Sequence, residues 1–244
     1  MAQQFAYSGW EIKQNQQRKS GDKMDLREEL FKSRDLKYRD FHKKLVPNID
    51  ESKIIGVRVP TVRKIAKKAF LANAQNRCEY YEEIEAFGFC AAMKKCGATE
   101  HKKDIEKFVS LTDNWGTCDT CTAAMKFIGE SKSEYFDFIC SFIGKGEYPT
   151  RFAIVALMDY YLDDEYIDRV LKIYSEIKSD KYYINMALAW ALSMAFIKHK
   201  GKVMPILESR TLNADVQNKT IQKICDSYRV SKETKSKIKE YKIR

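Results

Sequence analysis

Residues 111–129 read Leu-Thr-Asp-Asn-Trp-Gly-Thr-Cys-Asp-Thr-Cys-Thr-Ala-Ala-Met-Lys-Phe-Ile-Gly. Thr112, Asp113 and Asn114 are all good N-cap residues and Gly129 is a good stop, so the stretch predicts a helix over 115–128. Inside it Trp115 and Asp119 stand four apart and share a face. An aromatic beside a carboxylate is out of place ahead of Ala, Met, Phe and Ile. Helices that are apolar almost all round also begin near 148, 182 and 214. These starts recur about every 33 residues, the range of stacked helix pairs. More polar helices such as 164–178 lie between them, and one buried plus one half-exposed helix per repeat is what an α-solenoid needs.

Helical patterns fill the remainder. They are expected from Met24 to Leu45, from Pro60 onward, and over 79–96, 101–111, 133–143, 202–212, 214–227 and 231–241. Pro47 ends the first and Pro60 suits the start of the second. No stretch alternates with a period of two. The expected fold is therefore all-α, an α-α superhelix with a concave basic face, formed by one domain over 24–244. Residues 1–23 are polar, with Tyr7 and Trp10 as isolated aromatics, and predict a loosely held tail.

The chain has 244 residues, a net charge of +10 and a pI near 9.1. That surplus favours a polyanion as partner, nucleic acid first and an anionic membrane surface second. No apolar run approaches the roughly 20 residues that span a bilayer, and the first 23 lack a secretion signal's apolar core, so an intracellular, cytoplasmic protein is expected. The seven cysteines are odd in number and sit mostly in apolar helices, which reads as core thiols in a reducing compartment. Cys118 and Cys121 form a lone Cys-x-x-Cys without the two further ligands that zinc requires. Glycine-rich phosphate loops and Ser/His/Asp patterns are absent.

Four residues do not belong in the core of the apolar helices that start at 115, 148 and 182. They are Trp115, Asp119, Arg151 and Trp190, at offsets of 0, 4, 3 and 8. At ~100° per residue they cover an arc of about 140°, and in a stacked solenoid equivalent faces line one wall. Each tryptophan alone is more simply core packing, and Asp119 alone could serve the helix dipole. Arg151 is harder to place. A cation in a first turn opposes the dipole, and the residues after it are apolar, so it needs an anion: Asp119 or a phosphate. A second basic cluster, Arg58, Arg63, Lys64, Lys67 and Lys68, brackets the Pro60 helix start.

With these motifs the chain resembles the AlkD-like DNA alkylation repair glycosylases, all-α proteins of HEAT-like repeats. The resemblance spans about residues 25–240. It rests on Gly56-Val57-Arg58-Val59-Pro60 with Arg63, Asp113-Asn114-Trp115 with Asp119, Arg151-Phe152-Ala153, Ala189-Trp190-Ala191-Leu192, and Val216-Gln217-Asn218-Lys219 leading to Ser227-Tyr228-Arg229-Val230-Ser231. It implies a cleft of Trp115, Arg151 and Trp190 facing DNA, with Asp119 catalytic. It implies release of N3- and N7-alkylated purines from double-stranded DNA with no metal or organic cofactor, by a monomeric, cytoplasmic bacterial enzyme working at the nucleoid. Arg58, Arg63, Lys64, Lys219 and Lys223 are the expected backbone contacts. Asn114 departs from the best-known member, which has another aromatic there. No lysine joins the four-residue constellation, so no Schiff base and no strand nicking are expected. Two other readings stay open: a binder of distorted or branched DNA without chemistry, and a helical-repeat scaffold for a protein partner.

Overall fold

Fourteen α-helices, two 3₁₀ turns and no strand make up residues 24–243, the part of the chain that the computed structural model describes. The polar stretch 1–23, with Tyr7 and Trp10, lies outside the described residues. Two short helices, α1 (Leu26–Lys32) and α2 (Leu36–His42), lead by a loop and a 3₁₀ turn (Glu51–Lys53) to α3 (Val59–Ala72). The expected continuous helix over 24–45 is broken at Ser33–Asp35. Asp35 caps α2 by accepting from the Tyr38 amide at 3.0 Å, and an N-cap residue cannot also be helix interior.

Beyond α3 the helices sort into two layers. One comprises α4 (Tyr81–Met93), α6 (Trp115–Thr122), α9 (Glu147–Tyr160), α11 (Tyr182–Lys198) and α13 (Ala214–Asp226), each packed against the next. Behind them stand α5 (Ala98–Leu111), α8 (Lys132–Cys140), α10 (Ile167–Glu176) and α12 (Lys200–Ser209), which meet one another more lightly. The short α7 (Phe127–Glu130) links α6 to α8, and α14 (Lys232–Ile238) closes the chain. The recurrence read from position 115 onward thus has one earlier member, α4.

Composition explains which layer is sealed. In α11 the buried Ala187, Ala189, Ala191 and Ala195 let neighbours approach closely, while Leu188, Leu192 and Phe196 fill the gaps. In α9 every residue from Thr150 to Met158 is buried. The half-exposed α10 instead carries a strong apolar stripe of Ile167, Val170, Leu171 and Tyr174. One continuous core runs from Leu26 to Ile238.

The helix expected over 115–128 stops at Thr122, and Gly129 lies within α7 rather than ending α6. Thr122 turns its hydroxyl back onto the Cys118 carbonyl at 2.6 Å. Its own carbonyl accepts from the Tyr160 hydroxyl at 2.8 Å and from the Met125 amide. The backbone acceptor that would have continued the helix is used by a turn and by α9.

Candidate functional site

Asn114 sets the register of α6. Its side-chain oxygen accepts from the Thr117 amide at 2.8 Å, while Thr112 and Asp113, the other candidate caps, lie before it. With that start fixed, Gly116, Thr117, Cys118, Cys121 and Thr122 point inward. Trp115, Asp119, Thr120 and Ala123 are left with an outer edge. The Cys-x-x-Cys pair is wholly buried, and burial drives both thiols far above their ordinary range. These are core thiols.

Arg151 meets Asp119. Nε donates to Oδ1 at 2.8 Å and Nη2 to Oδ2 at 2.7 Å, a parallel two-point fork, and Nη1 donates to the Tyr183 carbonyl at 2.7 Å. The helix starts at Glu147, one residue earlier than expected, so Arg151 is its fifth residue and stands past the first turn; the cation has its anion there, and it ties α6, α9 and α11 together. The two side chains are unequally covered: Arg151 keeps 6% of its surface and Asp119 keeps 15%. Burial pushes the Asp119 carboxyl above the usual aspartate range, and the fork from Arg151 works against that rise. The Asp119 partner in turn holds Arg151 above its ordinary value, against the effect of burial.

The third wall is α11. Its partly exposed residues are Tyr183, Met186, Trp190, Met194 and Ile197, at spacings of three or four, with the exposed Lys198 beyond them. That is one narrow stripe of the helix. Trp190 rests on the main core with part of its ring uncovered. Trp115 is held differently: its indole N–H donates to the Leu45 carbonyl at 2.8 Å, and it packs on a small separate cluster of Val46, Ile54 and Tyr81. The rim beside Arg151 is aromatic, with the Tyr148 and Tyr183 rings 5.8 Å apart and the exposed Tyr182 edge-on to Tyr183.

Sequence reasoning missed Asp159. It lies two turns beyond Arg151 on α9, about 12 Å along the axis. It is exposed, yet the desolvation by the protein around it pushes its carboxyl up to about 6. Lys126 and Lys198 pull it back, and the Asp119 charge pushes it further. The available signal was an acid inside an otherwise apolar run, the same signal that exposed Arg151. Lys126 and Lys198 thus stand around Asp159, toward the far end of α9.

The expected backbone contacts are spread over two helices and a loop. Arg58 is exposed, bonded to Asp35 at 3.2 Å and laid over the Tyr38 ring at 4.6 Å. Arg63 lies over Phe89 at 4.6 Å, and Lys64 is exposed beside it on α3. On α13, Lys219 is exposed and Lys223 partly so. Arg58 and Arg63 therefore rest on different rings. The linker that carries Arg58 is fixed from beneath, where the buried Glu82 accepts from the amides of Ile55, Gly56 and Val57 at 2.7–3.1 Å. Gly56 is needed there. Its φ is +95°, and a Cβ would stand 2.6 Å from that of Arg39.

Among the described residues, no three His, Cys, Asp or Glu side chains are grouped to hold one metal ion, and no helix is long and apolar enough to cross a membrane. A family model described as "DNA alkylation repair enzyme" matches residues 24–223. Neither a curated protein nor a solved structure matches the chain.

Proposed function

The chain belongs to the DNA alkylation repair enzyme family, and from that premise we propose that it is a monofunctional DNA glycosylase, cutting the N-glycosidic bond of N3- or N7-alkylated purines in double-stranded DNA. A role in alkylation repair and DNA as partner follow from the family; the reaction is inferred from the site. The observation that carries it is the carboxylate of Asp119, oriented by a two-point fork and still open to solvent along one edge, on a helix that also carries the partly uncovered Trp115.

An alkyl group on N3 or N7 gives the purine a formal positive charge. The base then leaves as a neutral molecule with the electron pair of the bond, and needs little acid catalysis. The sugar left behind is cation-like at C1′. A fixed carboxylate stabilises that charge and takes a proton from the attacking water as its oxygen bonds to C1′, leaving an abasic site. Asp119 has this role, and burial makes it a stronger base than an ordinary aspartate. Trp115 and Trp190 offer electron-rich faces to the deoxyribose. Three N–H groups of Arg151 are engaged by Asp119 and Tyr183, so Arg151 chiefly orients the acid. Phosphates fall to Arg58, Arg63, Lys64, Lys219 and Lys223, and binding weakens as salt rises.

The test is release of 7-methylguanine or 3-methyladenine from methylated duplex DNA, by wild type and by Asp119→Asn. Equal release by the variant removes Asp119 from the mechanism. The fork also favours a second reading, a binder of distorted or branched DNA without chemistry, because a carboxylate matched to a guanidinium presents little net charge. That reading requires salt-sensitive DNA binding and no released base from wild type.

A further inference from the structure

Six of the eight residues between α2 and the 3₁₀ turn, Lys43-Lys44-Leu45-Val46-Pro47-Asn48, lie against the starts of α6 and α9. The Leu45 carbonyl accepts from the Trp115 indole. Val46 is wholly buried against Ile54 and Tyr81. The Asn48 side-chain amide donates to the Asp113 carbonyl, just ahead of α6, and to the Tyr148 hydroxyl on α9 at 3.2 Å. One short strap is thus bolted to both helices that hold the Asp119–Arg151 pair. Between the bolts the side chains alternate: Val46 points in, while Leu45, 41% exposed, and Pro47 point out, with Lys44 exposed alongside.

A single exposed leucine is ordinary on a protein surface. The backbone of this one is anchored, through its own carbonyl, to a tryptophan of the candidate site. We propose that the strap is a duplex-contacting element, in which Leu45 presses against the deoxyribose and base edges of a nucleotide neighbouring the one addressed by Asp119, and Asn48 is a positioning residue that fixes the strap over α6 and α9. The inference rests on reading the Asp119 face as a DNA site. Apolar side chains inserted at base steps are a known means of holding a deformed duplex, and the adjacent Lys44 suits the phosphates on either side.

The experiment is binding of a short undamaged duplex across a salt series. A leucine contact is apolar, so Leu45→Ala is expected to weaken binding about five- to tenfold at every salt concentration while the slope of log K against log salt stays constant. Lys44→Ala is expected to flatten that slope by about one. Leu45→Gln, similar in length but polar, should bind like Leu45→Ala. Wild-type affinity in either Leu45 variant overturns the proposal, as does a change in salt slope matching that of Lys44→Ala. No base is released in this measurement. A wild type that binds duplex but frees no methylated base therefore removes the glycosylase reading and leaves the strap result standing. A wild type that binds no duplex overturns both.

Discussion

Helices α4 and α6 begin alike. Each has an aromatic at its first position and an acid at its fifth: Tyr81 with Glu85, and one repeat later Trp115 with Asp119. Their fates differ. Asp119 is forked by an arginine and keeps an edge in solvent. Glu85 is 0% exposed and neither of its carboxyl oxygens has a hydrogen-bond partner. Burial, with the neighbouring Glu82 charge adding to it and Arg63 pulling back, lifts Glu85 to about 8. It is mostly protonated at neutral pH. What separates the two is the next helix in the stack. Position five of α9 is Arg151, whereas position five of α6 is Asp119, another acid. At Gly88, moreover, α4 lies so close to α6 that a Cβ would stand 2.6 Å from the Cys121 sulfur. The same local pattern yields a charged, reachable group or a sealed, neutral one, according to what its neighbour offers.

The largest test of that contrast is chemical. Asp119→Asn should lower base release by about 10²–10³-fold, the scale for losing one fixed charge-stabilising group, while Glu85→Gln stays within about twofold of wild type. Rates are compared where circular dichroism shows both variants folded. The reacting form of Asp119 is the ionised one, so the rate is lost as pH falls through its titration. Burial has raised that titration, which places the acid limb above the ordinary aspartate range. A comparable loss in Glu85→Gln would erase the distinction between the two acids.

Next in size is the fork. Arg151→Met leaves the part-buried Asp119 without its cation and should cost about 2–4 kcal/mol in urea denaturation. Adding Asp119→Asn should recover part of that, because the stranded charge is gone. Simple additivity in the double variant would mean that the fork couples nothing.

Glu85 supplies a third test through pH. Its folded pKa lies above the unfolded one, so between about 4.5 and 8 the folded chain binds more protons and stability falls as pH rises. The loss is complete once pH has passed the folded value. Glu85→Gln, neutral throughout, should therefore raise stability at pH 8 by about 4 kcal/mol and at pH 5 by less than about 1 kcal/mol. Part of the slope should survive, because burial also lifts Glu82 despite its three backbone donors. Melting temperatures across that range measure it, and parallel curves for variant and wild type would show that Glu85 is not the group titrating.

These contrasts also explain how much could be read in advance. The repeat was legible from 115 to 214 because its starts recur about every 33 residues and α9 and α11 are apolar nearly all round, although α13 leaves Asp215, Lys219 and Gln222 exposed. Its first member was not recognised as an equivalent, because Glu82, Glu83 and Glu85 look like a solvated face and all three are buried. Arg151 announced its need for an anion, since a guanidinium at the head of the apolar run Phe152–Met158 has few other options. Asp159 gave the same kind of signal and was passed over. The strap was not readable at all. Two of its three bonds run to the carbonyls of Leu45 and Asp113, which every residue possesses, and the third joins Asn48 to Tyr148, a hundred residues on, so no local side-chain pattern marks them.

The smallest effect concerns what places an acid at position five in the first place. In α4 the start is fixed by Glu83, whose carboxylate accepts from the amides of Glu79 and Tyr80 and also pairs with Arg27 at 2.6 Å. In α6 it is fixed by the Asn114 side chain alone. Asn114→Ala should cost about 1 kcal/mol, the usual price of a lost cap. The first turn it loosens carries Trp115, which stays tethered by its indole bond to Leu45. Asp119 lies one turn further in, held by Arg151. Base release should accordingly fall by no more than a fewfold. A far larger loss of activity at this small cost in stability would mean that the fork does not fix Asp119 by itself and that the helix start controls the acid, a dependence the more firmly capped α4 would not share.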